Sequence, residues 1–152
     1  MHFERIEIQT DTYFRVNYGR LKIRERDCGD PQLIQYFRDD QKGPRPSYYE
    51  VIHLKNMDQV KSTLEEEHGI YAIVKKKREI WTRENIWIHF DCVEELGNFI
   101  EFEIELGMHG NIEAGQQKAE WLMKKFHLSR KDLIGQSYAD LIRMKTVGNS
   151  GQ

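Results

Sequence analysis

The sequence has little of what marks secreted, membrane-spanning or disulfide-rich proteins. Its 152 residues include only two cysteines, Cys28 and Cys92, so no disulfide framework is expected and a reducing cytoplasm is the expected location. No apolar run approaches the ~20 residues of a membrane helix. Residues 1–5 do not begin the apolar core of a secretory signal. Neither a membrane partner nor secretion is therefore expected.

The sequence also lacks the short motifs of several enzyme classes. It has no Gly-rich phosphate loop, no zinc-spaced Cys/His cluster and no signature of a catalytic Ser or Cys. The 23 basic and 25 acidic residues give a net charge of -2, which argues against general coating of nucleic acid. Any function must therefore come from how the charges are distributed.

The charges are segregated along the chain. Residues 15–26 and residues 75–83 each contain five bases and one acid, whereas residues 84–117 contain eight acids and no Lys or Arg. Any single run could be an ordinary solvated face. Like charges that converge in a fold repel unless opposite charge lies between them. An anionic ligand with a metal ion would supply that charge.

Hydrophobic periodicity predicts mostly short strands. Strands are expected at 2–16, 20–26, 32–39, 48–54, 70–81, 87–92 and 99–106, and helices at 58–68, 112–126 and 129–145. Many of the strands are at hairpin spacing, which predicts an antiparallel α+β fold. The length predicts a single domain over 1–146, followed by a flexible polar tail at 147–152. If such a sheet rolls shut, its charged face lines a polar tunnel.

Two basic strands repeat one spacing. Lys22 and Arg24 lie two residues apart and so share a face, and Lys76 and Arg78 do the same on another strand. Four cations on inward faces would clamp an oligo-anion, with Arg making bidentate phosphate contacts and Lys supplying point charges. The alternative is that these side chains face solvent.

One acidic strand is a candidate metal site. Glu101, Glu103 and Glu105 share a face, and their carboxylates repel unless a cation separates them. Mg²⁺ or Mn²⁺ takes carboxylate oxygens together with phosphate oxygens. Asp91 and His89 share a face of the preceding strand and could join the site. The alternative is an acidic strand face exposed to solvent.

Several segments together resemble the CYTH domain family. They are QTDTYF at 9–14, GRLKIRE at 19–25, VKKKRE at 74–79, IHFDCVEELGNFIEFE at 88–103 and SYADLI at 137–142. The resemblance spans roughly residues 9–142, and the combination is far more specific than any one segment. The wording of the first and last segments is most similar to the class IV adenylyl cyclases of the family, which also includes thiamine triphosphatases and inorganic triphosphatases.

The resemblance implies a fold, a ligand and site residues. The fold is an antiparallel β-tunnel with two or three flanking helices. The ligand is a triphosphate compound (ATP, thiamine triphosphate or inorganic triphosphate) with Mg²⁺ or Mn²⁺. The residues that match the family's phosphate-binding positions are Lys22, Arg24, Lys76 and Arg78. Those that match its metal-binding positions are Glu101, Glu103 and Asp91.

Two departures from the family pattern lower the expectation of catalysis. The family usually begins with a Glu-x-Glu-x-Lys strand, and Glu4 and Glu7, three residues apart, do not supply it. Trp87 stands where the family often has Arg. A tunnel lacking a strand exposes edges, which a homodimer could cover. Three functions therefore stay open: a metal-dependent triphosphate enzyme, a module that binds polyphosphate or nucleotide without turnover, and a scaffold that keeps only the fold.

Overall fold

A computed structural model describes residues 1–38 and 42–150, with the side chains of 149 and 150 left out of the description. The strands are β1 (His2–Phe14), β2 (Arg20–Arg26), β3 (Gln32–Phe37), β4 (Tyr48–His53), β5 (Ile70–Arg83), β6 (Ile86–Val93) and β7 (Gly97–Ile104). The helices are α1 (Met57–His68), α2 (Ile112–Lys125) and α3 (Tyr138–Ser150). Each predicted strand is confirmed, with ends that shift by one or two residues; position 39, where the third predicted strand ends, lies outside the described residues.

The strands form one antiparallel sheet in the order β4-β3-β2-β1-β5-β6-β7. The long strands β1 and β5 lie at its centre and pair along almost their whole length. The predicted antiparallel α+β class with flanking helices is thus confirmed. Within the described residues the sheet does not close, because β4 and β7 remain edge strands. The phenol of Tyr49 on β4 lies near the carboxylate of Glu103 on β7, the other edge strand.

The sheet is polar on its inner face and partly apolar on the other. Along β1, Glu7, Gln9 and Asp11 are at most 2% exposed, whereas Ile6 and Ile8 are more than 40% exposed. Alternation with a period of two puts these two groups on opposite faces. Polar residues therefore line the interior of the sheet.

Small apolar clusters attach the helices to the sheet. Leu122 of α2 packs with Ile86 and Ile88, and Ala139 of α3 packs with Val74 and Tyr13 among others. A third cluster, around Phe14, Ile23 and Leu54, receives Met57, Val60 and Leu64 of α1. The N-cap of α1 is Asn56, and Asp58, where the predicted helix begins, lies inside the first turn.

The predicted helix over 129–145 is wrong in its start. Ser129 and Asp132 do form a capping box, but the helix they open is a single 3-10 turn, Arg130–Asp132. The longer helix α3 begins at Tyr138, where the Ser137 hydroxyl accepts a hydrogen bond from the backbone N–H of Asp140 at 3.1 Å. It continues through 147–150, which the sequence analysis assigns to a flexible tail. Residues 151 and 152 of that tail lie outside the described residues.

A search of the described residues for a helix long and apolar enough to cross a membrane finds none.

Candidate functional site

A cavity of about 1530 Å³ lies against the polar face of the sheet. Each predicted site residue lines it: Lys22, Arg24, Lys76, Arg78, Asp91, Glu101 and Glu103. The predicted solvent-facing alternative is therefore wrong for the lysines, since Lys22 and Lys76 are only 7% and 3% exposed. The inward faces of β2, β5, β6 and β7 bring these side chains together.

Three of the predicted bases converge on one carboxylate that the sequence analysis did not single out as a site residue. Asp11, fully buried, accepts hydrogen bonds from Lys22 Nζ at 3.0 Å, Lys76 Nζ at 2.8 Å, and Arg24 Nε and Nη2 at 2.8 and 2.9 Å. β1 lies between β2 and β5, and Asp11 is directly opposite Arg24. The register of three strands thus places one acid among three bases.

The fourth base, Arg78, forms its closest ion pair with a different acid. Its Nε and Nη2 each donate to Asp91 at 2.7 Å, a bidentate pair between residues directly opposite on β5 and β6. The hydroxyl of Tyr138, the first residue of α3, also donates to Asp91 at 2.8 Å. Asp91 therefore orients a base and the start of a helix, which differs from the metal-ligand role that the sequence analysis predicts for it.

These four bases, which we call the cationic floor, exceed their counter-charges. Lys22, Arg24, Lys76 and Arg78 share the two carboxylates Asp11 and Asp91. Burial, opposed by Asp11 but reinforced by the neighbouring guanidinium groups, lowers the pKa of Lys76 to about 8. Burial and Arg24 likewise hold the pKa of Lys22 well below its ordinary value. The floor thus has room for further negative charge.

A second group, the carboxylate–histidine cluster, consists of His89, Glu101 and Glu103. One potential ligand atom from each lies within 4.8 Å of the others. His89 is directly opposite Glu101, and Glu103 is two residues further along the same face of β7. Glu105, which the sequence analysis grouped with these acids, lies beyond the end of β7 and is exposed.

The electrostatics of the cluster favour ionised carboxylates. Burial by itself would raise the pKa of Glu101, but the charge of Arg78 and the hydrogen bond with His89 outweigh it and hold this pKa well below its usual range. For Tyr49, burial and the contact with Glu103 raise the pKa to about 12. Glu101 therefore stays negatively charged at neutral pH, as a metal ligand must.

A further ion-pair group lies next to the cationic floor. Glu7 accepts hydrogen bonds from Arg5 at 2.7 Å, from Gln9 at 2.6 Å and from Arg26 at 3.4 Å. Alternation along β1 puts Glu7, Gln9 and Asp11 on one face, which the sequence analysis does not assign to the site. The signal that could have identified it is the alternation of polar inward residues with Ile6 and Ile8.

Comparison with known proteins shows which families and structures this chain is similar to. The sequence model of the CYTH domain matches residues 1–138. No protein of curated function matches the sequence. A solved structure from Pyrococcus horikoshii is 21% identical, with a TM-score of 0.83 over 92% of this chain and 85% of that one.

Two further solved structures are similar. A conserved hypothetical protein of Pyrococcus furiosus has 22% identity and a TM-score of 0.81, covering 92% of this chain and 85% of that chain. A protein of Vibrio parahaemolyticus described as a candidate adenylate cyclase has 22% identity and a TM-score of 0.72, covering 91% of this chain and 85% of that one. At these identities the likeness shows the fold.

Replacing Asp11→Asn is expected to destabilise the protein strongly. The change leaves three buried bases without their shared counter-charge, and breaking a buried pair in this way costs about 3–5 kcal/mol. Urea denaturation followed by circular dichroism measures the loss. The exposed acid on α1 provides a control, Glu67→Gln, which should change the free energy of unfolding by less than about 0.5 kcal/mol. Equal, small effects of both changes would contradict the role of Asp11.

Proposed function

Because this chain belongs to the CYTH domain family, we propose that it binds a triphosphate-containing small molecule with a divalent metal ion and turns it over. The reaction would be that of a triphosphatase or of a class IV adenylyl cyclase. The observation that supports this proposal is the cationic floor, whose four bases, three of them buried, make their closest ion pairs with only two carboxylates inside a large cavity. A phosphate chain is the type of anion that such a surface accommodates.

The floor offers both kinds of phosphate contact. Arg24 and Arg78 present guanidinium forks, and Lys22 and Lys76 present compact ammonium groups. Asp11 and Asp91 hold these bases in place, so that few rotamers have to be frozen when the phosphate binds. The bases would orient the phosphate chain and stabilise charge on its oxygens during phosphoryl transfer.

The family is generally metal-dependent, and the carboxylate–histidine cluster fits a divalent cation. Two carboxylates and an imidazole, close enough to share one ion, are a chemically suitable donor set. A bound Mg²⁺ or Mn²⁺ would polarise a phosphoryl oxygen and activate the attacking water or hydroxyl. Glu101 and Glu103 would hold that ion, and Arg78, whose Nη2 lies 3.8 Å from Glu101 Oε1, would place the phosphate beside it.

The proposed substrate class includes every triphosphate compound that the resemblance implies. ATP, thiamine triphosphate and inorganic triphosphate all present the phosphate chain that the floor would bind.

We also propose a cytoplasmic location and a homodimer that covers the unpaired sheet edges. All six residues of the edge strand β4 are exposed, among them Tyr48 and Ile52, and exposed edges are commonly protected by pairing.

Binding without turnover is the second candidate function. A specific observation favours it: the buried lysines Lys22 and Lys76 both donate to Asp11, an arrangement that supports phosphate binding whether or not a reaction follows. In that case the floor would hold polyphosphate or nucleotide as a regulatory or storage ligand. Both candidate functions include the binding of a phosphate compound, and they differ only in whether a product is formed and released.

Lys76→Met should weaken the binding of inorganic triphosphate by about 10- to 100-fold. A hydrogen bond to a charged group contributes about 1.5–3 kcal/mol, and 1.4 kcal/mol corresponds to a factor of ten. Isothermal titration calorimetry measures the change. Lys75→Met is the matched control, because Lys75 is exposed on the opposite face of the same strand. Equal affinities of both variants and the wild type would favour a scaffold that keeps only the fold.

Turnover should depend on Glu101 and Glu103. Changing either residue to Gln is expected to lower product release in Mg²⁺ or Mn²⁺ by at least about 100-fold, because the ion loses a charged ligand. Release of phosphate, pyrophosphate or cyclic AMP from the three substrates is the measurement. Glu105→Gln, at an exposed position beyond β7, is the control. Wild-type protein that binds but releases no product would support the second candidate instead.

Triphosphate binding should weaken as pH rises through about 8. The pKa of Lys76 is about 8 in the free protein, and a bound anion raises it because the anion stabilises the ammonium form. Binding therefore takes up protons near pH 8, and the affinity decreases by up to about tenfold per pH unit above it. Calorimetry in buffers of different ionisation enthalpy measures the uptake. Lys76→Arg, which stays charged, should reduce both effects; an unchanged pH profile would contradict the prediction.

A further inference from the structure

We propose that His89 is itself a metal ligand, so that the cluster binds a divalent transition-metal ion in preference to Mg²⁺. The inference extends the proposed function by naming the class of metal and a nitrogen ligand. It rests on the proposed function in one respect only, which is that a metal ion binds at the carboxylate–histidine cluster. The sequence analysis noted only that His89, which shares a face with Asp91, could join the metal site, and it assigned the residue no preference between ions.

The strand register brings His89 into the cluster. It stands directly opposite Glu101 in the β6–β7 pair, and the side chains of such pairs lie on one face of the sheet. The three potential ligand atoms lie within 4.8 Å of one another. Three atoms that bind the same ion at about 2.1 Å are about 3.0 to 3.6 Å from one another. Movements of about 1 Å would therefore form the site.

The hydrogen bonding of His89 leaves one ring nitrogen available. The residue is 6% exposed and lines the cavity. Among the described residues its hydrogen-bond contacts are limited to that of Nδ1 with Glu101 Oε1, at a long 3.3 Å. A buried imidazole ordinarily uses both of its nitrogens. A metal ion in the cavity would supply the partner that Nε2 lacks, or would replace the weak contact of Nδ1.

Neighbouring charges leave the cluster open to a cation. Arg78 is the base next to Glu101, but its two closest contacts, at 2.7 Å each, are to Asp91, and its distance to Glu101 is 3.8 Å. Asp91 thus takes the two shortest hydrogen bonds of Arg78, and the ion pair of Arg78 with Glu101 is longer. The donor set that remains is one imidazole and two carboxylates.

An imidazole changes which ion is preferred. Mg²⁺ takes oxygen ligands almost exclusively and gives up its water reluctantly. Imidazole binds first-row transition metals more strongly, in the order that runs from Mn²⁺ up to Cu²⁺. A site with one nitrogen and two carboxylate ligands therefore gains affinity for Mn²⁺ or Co²⁺ from His89, and gains little for Mg²⁺.

Pulsed electron paramagnetic resonance with Mn²⁺ alone tests the ligand directly. The full chain is loaded with Mn²⁺ without triphosphate, and the expected spectrum shows coupling to a ¹⁴N nucleus of a coordinating imidazole. His89→Gln should abolish that coupling, whereas His53→Gln, which changes an exposed histidine on β4, should leave it intact. Bound Mn²⁺ without nitrogen coupling in the wild type would overturn the proposal.

Metal titrations by calorimetry test the selectivity. His89→Gln should lower the affinity for Mn²⁺ at least about tenfold and the affinity for Mg²⁺ by less than about threefold; equal losses for both ions would overturn the preference. If His89→Gln does not fold, Glu103→Gln should weaken Mn²⁺ binding while the nitrogen coupling persists. A protein that shows nitrogen coupling but binds no triphosphate would refute the proposed function and leave the ligand assignment standing.

Discussion

The burial of a single carboxylate among three bases is the constraint on which the interior of this protein depends. Asp11 lies at the centre of the sheet, where β2 and β5 flank β1, and it receives Lys22, Arg24 and Lys76. Desolvating each ion costs several kcal/mol, which only close, well-oriented counter-charge can offset. Because one acid serves three bases, the balance remains positive. Burial, and then the charges of Arg24 and Arg78, lower the pKa of Lys76. The fold thus keeps a net positive charge in the interior, where an anion can bind.

This interior reverses the usual arrangement of a small domain. The inner face of the sheet is polar, so apolar packing takes place on the other face and at the ends of the strands. Leu122 and Ala139 each anchor a helix there. Exposed residues such as Ile6 and Ile8 remain on the uncovered part of that face. Apolar contacts are not confined to the outer face, because Tyr13 and Val74, which pack with Ala139, share the inner face with Asp11 and Lys76. Apolar packing and ligand chemistry therefore occupy different parts of that inner face.

Arg78 connects the two parts of the site. It belongs to the cationic floor, yet it lies 3.8 Å from Glu101 of the carboxylate–histidine cluster. Asp91 fixes its orientation from β6, and Tyr138 adds a hydrogen bond to the same acid from the start of α3. A triphosphate that reaches from the floor to a bound cation would pass this guanidinium. The packing of α3 is consequently coupled to the geometry of the binding surface.

Much of the fold was predictable because alternation is a local property. Polar and apolar residues alternate in β2, and the period of two put Lys22 with Arg24, and Lys76 with Arg78, on shared faces. The resemblance to the CYTH family, which the sequence comparison confirms over residues 1–138, pointed to the same side chains. The start of α3 was mispredicted, since the capping signal at Ser129 supports only a 3-10 turn. A cap specifies where a helix can begin, but packing decides how far it continues.

The sequence by itself determined which side chains share a face, and the tertiary structure alone decided which of them meet. Periodicity grouped Asp11 with Glu7 and grouped Asp91 with His89, but it carries no information about the strand opposite. The register placed Asp11 among three bases, gave Asp91 to Arg78, and put His89 opposite Glu101. Partners in a sheet are separated by tens of residues in the chain, and their pairing follows from how whole strands align. For that reason the members of the site were readable from the sequence, whereas their partnerships were not.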